Sequence, residues 1–360
     1  MKHIPHENLR ALIREIVAAG GSTGDEPRMV ADNLVYANLT GHDSHGVQMI
    51  PIYMEAVRSG GLKPNQHAQI VIDHGMVVTI DGNAGYGQVI GVEAMETGIE
   101  RAREHGVCVL AIRNSFHLCR IGAWGQQCAD AGMVSTHHVN AIGNPGLVAP
   151  YRGTDGRLST NPYCCALPAT SNNPSFIADF ATSVIAMGKV RVARNAGKQV
   201  PDGALFDVDG KPTNDPDAML CEPRGALRPM GEHKGYALAL ANELMAGALT
   251  GGGTGRPETE RGEYTVINNM LSTIIDPRRL AGQEIFETEL DGAIDHVKAS
   301  PLENPDEPVL MPGDPERHTM EQRLANGIPM PVPAWEELVA AARSMGITEA
   351  RAENLIAGGT

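Results

Sequence analysis

The sequence predicts a mixed α/β fold, on three observations. Apolar residues recur at helical spacing through the first sixty positions, a strand–helix–strand succession runs from residue 77 to 112, and strand-like runs separated by helical patterns continue to residue 275. The opening reads as helices because Leu9, Leu12, Ile13 and Ile16 share one face, and Met29, Val30, Leu34 and Val35 share another. A third helix is expected through Val47, Ile50, Tyr53 and Met54. Asp43-Ser44 would be its N-cap, His45 would lie on its first turn, and Gly60-Gly61 with Pro64 would end it. Val77-Val78-Thr79-Ile80 is short and β-branched, hence a strand; a glycine turn, a long helix over 88–105 and the apolar strand Val107-Cys108-Val109-Leu110-Ala111-Ile112 follow. Further strands are expected at 133–139, 163–167, 176–179 and 264–275, and helices at 183–194 and 234–249. Between 195 and 231 Gly, Pro, Asp and Asn dominate, as in Pro201-Asp202-Gly203 and Asp209-Gly210-Lys211-Pro212, which predicts a long excursion with turns over the site. After the glycine-rich loop at 251–255, the tail carries Met311-Pro312-Gly313-Asp314-Pro315 and Ile328-Pro329-Met330-Pro331 before two short helical patterns that end at Ile356. Composition divides the chain into a helical domain, 1–66 with 286–360, and a core of 67–285 that includes the 195–231 excursion.

A chain of 360 residues, 42% hydrophobic and 20% charged, buries a large core. Its 29 basic and 43 acidic residues give a formal charge of -14 with no long basic run, which argues against nucleic acid or an anionic membrane as the main partner. Any anionic ligand must therefore be captured locally. The start, Met1-Lys2-His3-Ile4-Pro5-His6-Glu7, lacks the apolar region of a secretory signal, and no apolar run nears the ~20 residues of a bilayer span, so a cytoplasmic protein is expected. Cys108, Cys119, Cys128, Cys164, Cys165 and Cys221 form no C-x-x-C pair, and reduced thiols are the expectation.

Three clusters concentrate chemistry. Gly41-His42-Asp43-Ser44-His45-Gly46 packs two histidines, a carboxylate and a hydroxyl between glycines. Asn114-Ser115-Phe116-His117-Leu118-Cys119-Arg120 places a histidine and an arginine just past the buried strand. Gly231-Glu232-His233-Lys234-Gly235-Tyr236 sets a lysine at a helix start, where backbone N–H groups and a cation hold an anion. His117 and Arg120 suit an imidazole that gives or takes a proton beside a guanidinium that grips a carboxylate, weighed evenly against a structural ion pair. His42 and His45, three apart, compete between metal ligation with His117 or His137-His138 and simple capping; without H-E-x-x-H or a compact Cys/His set, no metal is expected. Asp179 reads first as a cap for the next helix, and Asn161-Pro162 first as a turn. Gly85-Tyr86-Gly87-Gln88-Val89-Ile90-Gly91 has one residue too many for a dinucleotide fingerprint, and no Walker motif is present, so a bound dinucleotide would need an unconventional fold.

In order and spacing, these motifs resemble the type-2 malate/L-lactate dehydrogenase family. They are Gly41-His42-Asp43-Ser44-His45-Gly46-Val47, Asn114-Ser115-x-His117, Thr160-Asn161-Pro162, Asp179-x-Ala181-Thr182-Ser183 with Gly188-Lys189, Val200-Pro201 and His233-Lys234-Gly235-Tyr236. Met49-Ile50-Pro51, His117-x-x-Arg120-Ile121-Gly122 and Thr273-Ile274-Ile275 look most like its bacterial hydroxycarboxylate dehydrogenase B branch. The resemblance implies a sulfolactate dehydrogenase-like fold with a non-Rossmann cofactor domain, a homodimer, and NAD, or NADP, as cofactor. The implied reaction interconverts a small 2-hydroxy acid and its 2-oxo acid. It further implies His117 as general acid/base, with His45 and Asp179 beside it in the catalytic set. Ser44 and His45 would line the substrate pocket, while Asn161, Asp179, Ala181, Thr182, Lys234, Pro312 and Gly313 would surround the dinucleotide.

One position departs from the family. Several relatives carry an arginine four residues after the second histidine of the first motif, where this chain has Met49, so Arg120 is the expected carboxylate anchor. The same acid, anchor and hydride donor would serve a cyclic-imine reductase acting on C=N beside a carboxylate. Outside that chemistry stand a non-catalytic dinucleotide-binding protein and a metal-dependent hydrolase.

Overall fold

The structure, a computed structural model, describes residues 1–195, 197–262 and 264–359. Its strands are β1 (Lys2–Ile4), β2 (Gln69–Asp73), β3 (Val77–Asp81), β4 (Val107–Phe116), β5 (Val134–Ile142), β6 (Tyr163–Leu167), β7 (Phe176–Phe180), β8 (Leu205–Phe206), β9 (Pro212–Thr213), β10 (Ala226–Leu227), β11 (Ile267–Ile275) and β12 (Ile328–Met330). Its helices are α1 (His6–Ala19), α2 (Glu26–Leu39), α3 (Ile50–Ser59), α4 (Gly87–His105), α5 (Gly122–Asp130), α6 (Met187–Asn195), α7 (Asp217–Leu220), α8 (His233–Glu243), α9 (Gln283–Lys298), α10 (Asp314–Asn326), α11 (Val332–Ser344) and α12 (Glu349–Ile356).

The central sheet has the order β2-β3-β4-β11-β5-β6-β7. Only the β3–β4 pair is parallel, because α4 carries the chain back between them; the other pairs are antiparallel. The mixed sheet is thus the α/β, non-Rossmann class predicted. Ile267 stands opposite both Phe116 and Ile142, and Tyr163 opposite both His138 and Phe180. That register brings the ends of β4, β5 and β7 and the starts of β6 and β11 to one edge, so the loops carrying His117, Asn161 and Thr182 all open there.

Three apolar cores support this edge. The helical core combines both chain ends: Leu9, Leu12, Ile16, Leu34 and Tyr53 pack with Ile328, Trp335, Leu338 and Leu355. A second core lies between the sheet and helices α4 and α5, around Ile90, Met95, Trp124, Leu110 and Ile274. The third belongs to the 195–231 excursion, which folds as the small sheet β10-β8-β9 around Leu205, Met219 and Leu227, with Val190 of α6 against it.

Three expectations are corrected. The third helix begins at Ile50, not at Asp43; residues 43–45 and 47–49 are single 3-10 turns separated by an extended Gly46. Asn38 Oδ1 accepts from Val47 N there, and a Cβ at residue 46 would lie 2.2 Å from it, so the chain cannot coil helically through that point. The helix expected at 183–194 starts only at Met187, because Ser183 bridges to Pro229 and Val184 N donates to Arg228 O. The 234–249 helix loosens into wide turns after Glu243. Strand β2 was not foreseen, since all five of its residues are exposed and it lacks the one-sided burial that produces alternation.

His137 sits on β5 with no exposure, its Nδ1 2.8 Å from Ser272 Oγ and its Nε2 2.9 Å from Ser135 Oγ. Burial, then the neighbouring His138, pushes its pKa down to about 3. Because the folded value lies below the unfolded one, the unfolded chain takes up the proton first as pH falls. This contribution to stability is complete above ~6.5 and is lost toward pH 3, at up to ~1.4 kcal/mol per pH unit. Urea midpoints should therefore fall between pH 7 and 4.5; an unchanged pH dependence in His137→Asn would remove His137 from the account.

Candidate active site

The loop that carries His117 hangs from the end of β4, which runs to Phe116 rather than stopping at Ile112. Residues 117–121 link it to α5 and are pinned from several sides. Leu118 N donates to Asn268 Oδ1 at 2.8 Å, Trp124 Nε1 donates to Leu118 O at 3.0 Å, and a Cβ on Gly87 would lie 2.2 Å from His117 O. Cys119 adopts a left-handed φ of 64°, and its thiol donates to His45 O at 2.6 Å. The backbone therefore fixes His117 independently of its side chain.

His117 Nδ1 lies 2.9 Å from the Tyr53 hydroxyl, which accepts from Gln88 Nε2 at 3.0 Å. The His45 ring stacks on His117 with centroids 5.7 Å apart. Burial, then repulsion by His45, lowers the His117 pKa to about 3; burial, then His42 and Arg120, lowers that of His45 to about 4. Both rings are neutral at pH 7.

The Gly41–Gly46 segment divides its labour. His42 Nε2 meets Glu316 Oε1 at 3.1 Å, and Asp43 takes Asn38 Nδ2 at 2.7 Å and Arg323 at 2.6 and 3.0 Å. Those two residues clasp α10 rather than cap α3. Ser44 and His45 turn the other way, with Ser44 Oγ 3.1 Å from His45 Nδ1. The start of α6 closes on them, since a Cβ at Gly188 would lie 2.2 Å from that of Ser44. Of the histidines weighed as metal ligands only His45 and His117 come together; His42 is on Glu316, His137 between two serines, and His138 on Asn242 Oδ1 at 2.8 Å. Among the described residues no group of three His, Cys, Asp or Glu side chains is placed to hold a metal ion.

Arg120 is 5% exposed, with Nε 3.8 Å from Asp179 Oδ2 and its guanidinium 5.8 Å from the Tyr36 ring. Its Nε and Nη1 have no hydrogen-bond partner. Asp179 does not cap the helix that follows it; its Oδ2 accepts from Gly122 N at 2.7 Å, satisfying the start of α5. Burial pushes the Asp179 pKa up, while Arg120 and the Gly122 N–H pull it back.

The remaining predicted residues gather at the β6–β7 end. Thr182 N and Oγ1 donate to Thr160 O at 3.0 and 2.8 Å, tying the Thr160-Asn161-Pro162 turn to Ala181-Thr182. Asn161 is fully buried at φ 28°. Its amide donates to Ala239 O and Glu243 Oε2, and its Oδ1 has no partner. Pro312 O accepts from Ile177 N at 3.2 Å, which sets Pro312-Gly313 beside β7, two residues from Asp179. Lys234 is linked to this group through backbone alone, Met230 N donating to Thr182 O at 2.9 Å; its own side chain is exposed and unpaired. Sequence reasoning missed Tyr53, Gln88, Tyr36 and Glu316. Tyr53 had one visible signal, a hydroxyl inside an apolar helix face that requires a buried partner.

Fold and site together define an α/β enzyme with two stacked histidines and a buried arginine at the end of a mixed sheet. The chain belongs to the malate/L-lactate dehydrogenase family, which it matches over residues 4–339. It is 43% identical to hydroxycarboxylate dehydrogenase B of Escherichia coli (strain K12) over 343 residues, 95% of this chain and 94% of that protein. The structure of a candidate malate/lactate dehydrogenase from E. coli superposes with a TM-score of 0.95 at 40% identity, covering 99% of both chains. The Δ1-piperideine-2-carboxylate reductase of Pseudomonas syringae superposes at 0.82 with 28% identity, over 95% of this chain and 100% of the other. These similarities make the chain a dehydrogenase by family. No helix among the described residues is long and apolar enough to cross a membrane.

Proposed function

We propose that this chain interconverts a 2-hydroxy acid and the corresponding 2-oxo acid by hydride transfer with a nicotinamide dinucleotide, with His117 as general acid/base. One observation carries the reading: three residues apart on a single pinned link stand a titratable imidazole and a buried guanidinium with two unpartnered nitrogens. A 2-oxo carboxylate needs that pair, one group for its carbonyl and one for its carboxylate.

The residues present fit the cofactor. Asn161 Oδ1 is a buried acceptor lacking a donor, suited to a carboxamide N–H, and Lys234 at the start of α8 is an unpaired cation suited to a diphosphate. Asp179, Ala181, Thr182, Pro312 and Gly313 complete that side. When bound, the cofactor supplies or takes up the hydride. In reduction, Arg120 holds the substrate carboxylate, and protonated His117 gives its Nε2 proton to the carbonyl oxygen. In oxidation, neutral His117 takes the hydroxyl proton at the same atom. Ser44 and His45 wall the pocket, Asp179 steadies Arg120, and α6 over Ser44 limits water.

NADH and NADPH absorbance decay over a panel of 2-oxo acids tests the reading, run beside His117→Ala. Turnover on an oxo acid, lost in the variant, is expected; cofactor binding without any turnover would overturn it. Cyclic imino acids belong in the panel because of the similarity to the piperideine-2-carboxylate reductase, and preferred turnover there would replace the oxo-acid substrate. A homodimer is part of the proposal. Ala237, Ala241, Leu244, Met245, Ala248 and Leu249 form an exposed stripe without charge along α8 and the wide turns after it, supporting a second copy there. Sedimentation velocity should give twice the monomer mass, and Leu244→Glu with Leu249→Glu should reduce it to one.

A further inference from the structure

Tyr53 stands inside the helical core with no exposure, its ring edge-on to Tyr86 and Phe116. Its hydroxyl lies 2.9 Å from His117 Nδ1 and 3.0 Å from Gln88 Nε2, with the Cys119 thiol also beside it. Gln88, in the first turn of α4, is equally buried, and its Oε1 has no partner. An unpaired amide oxygen in a core is costly, and the hydroxyl that the same amide meets bonds His117.

We propose that Tyr53, set by Gln88, is a positioning residue: it occupies Nδ1 of His117 in every protonation state, so that Nε2 alone meets the substrate and exchanges the proton. The inference rests on His117 being the acid/base. A phenol has one hydrogen and two lone pairs, and a glutamine amide ends in both a donor and an acceptor. In one sense of the chain Gln88 N–H donates to Tyr53 O and Tyr53 O–H donates to Nδ1, leaving the neutral ring with its hydrogen on Nε2. With the amide turned over, Nδ1–H donates to Tyr53 O and Tyr53 O–H to Gln88 Oε1. That second arrangement serves both the imidazolium that gives a proton and the neutral ring that takes one at Nε2, and it gives the orphaned Oε1 its partner. Burial holds the Tyr53 pKa well above 10, so the phenol orients the ring without passing a proton on. A neutral orienter also leaves the imidazole a weak base, which a carboxylate in its place would not.

Tyr53→Phe keeps the ring packing and removes only the hydroxyl. We expect kcat to fall roughly 10- to 100-fold, less than the ~10⁴-fold known for losing an ionised orienter, with KM for the oxo acid and the cofactor within about twofold of wild type. In ¹⁵N-histidine-labelled protein without substrate, the His117 ring nitrogens, assigned by difference against His117→Gln, should move toward tautomer-averaged shifts. Gln88→Met should change the same shifts less and in the same direction, giving a second reading if Tyr53→Phe folds poorly. Unchanged nitrogen shifts, with or without a fall in kcat, would overturn the proposal. The shifts are read without turnover, so they stand apart from the test of His117 itself, which fails only if His117→Ala still turns over.

Discussion

His117→Ala is expected to lower kcat for oxo-acid reduction by about 10²- to 10⁴-fold, the usual worth of a general acid, while the dinucleotide binds as before. The loss should be clean because the loop does not depend on that side chain. Leu118 N on Asn268, Leu118 O under Trp124, and the close approach of Gly87 to His117 O hold the backbone in place. Steady-state rates together with a fluorescence titration of the reduced cofactor measure both halves. A variant that retained wild-type kcat would remove His117 from the chemistry.

The same residue sets the pH profile. In the free enzyme His117 has a pKa of about 3, so under the proposed role it already stands as the base that oxidation requires. Above that value, kcat/KM for oxidation should be flat as far as His117 governs it. Reduction needs the protonated ring, whose population falls about tenfold per pH unit, so kcat/KM for the oxo acid should decline with rising pH. An anionic substrate beside the ring raises its pKa by ~1 to 3 units. At pH ~5 substrate binding should therefore take up part of a proton, which isothermal titration in buffers of different ionisation enthalpy detects.

The strands and long helices were legible because burial on one side imposes a period. The apolar run at 107–112 and the pattern at 88–105 appear as β4 and α4 nearly as read. Strand β2 was illegible because both of its faces meet solvent, and β12 because Pro329 suits a two-stranded edge rather than a core strand. The site motifs were legible as clusters but not as contacts. His42 and Asp43 looked like site chemistry, yet their partners, Glu316 and Arg323, lie some 280 residues away in sequence and belong to the clasp on α10. Asp179 looked like a local cap and instead serves α5, because β7 delivers it across the sheet edge. Tyr53 was counted as an apolar residue of α3, since sequence shows a tyrosine's ring but not where its hydroxyl points.

Arg120→Ala is expected to raise KM for the 2-oxo acid by about 10- to 100-fold, the worth of a hydrogen-bonded charge at ~1.5 to 3 kcal/mol, and to leave KM for the cofactor nearly unchanged. Met49 packs against the helical core and offers no substitute cation. Equal effects on both constants would sink the assignment. The substitution has a second consequence, because Asp179, 12% exposed, would be left largely desolvated without its counter-charge, a change that costs up to ~3 kcal/mol when one member of such a pair is removed. Arg120 is the foremost group holding down a carboxyl whose pKa burial already raises. In the variant Asp179 should therefore take up a proton nearer neutrality, and the stability deficit should shrink as pH falls. The double variant Arg120→Ala with Asp179→Asn separates the two effects. Without the stranded carboxylate its urea midpoint should recover toward wild type, while the high KM for the oxo acid should remain. A KM that recovered along with stability would mean that Arg120 only neutralises Asp179, and the substrate carboxylate would have to be held elsewhere.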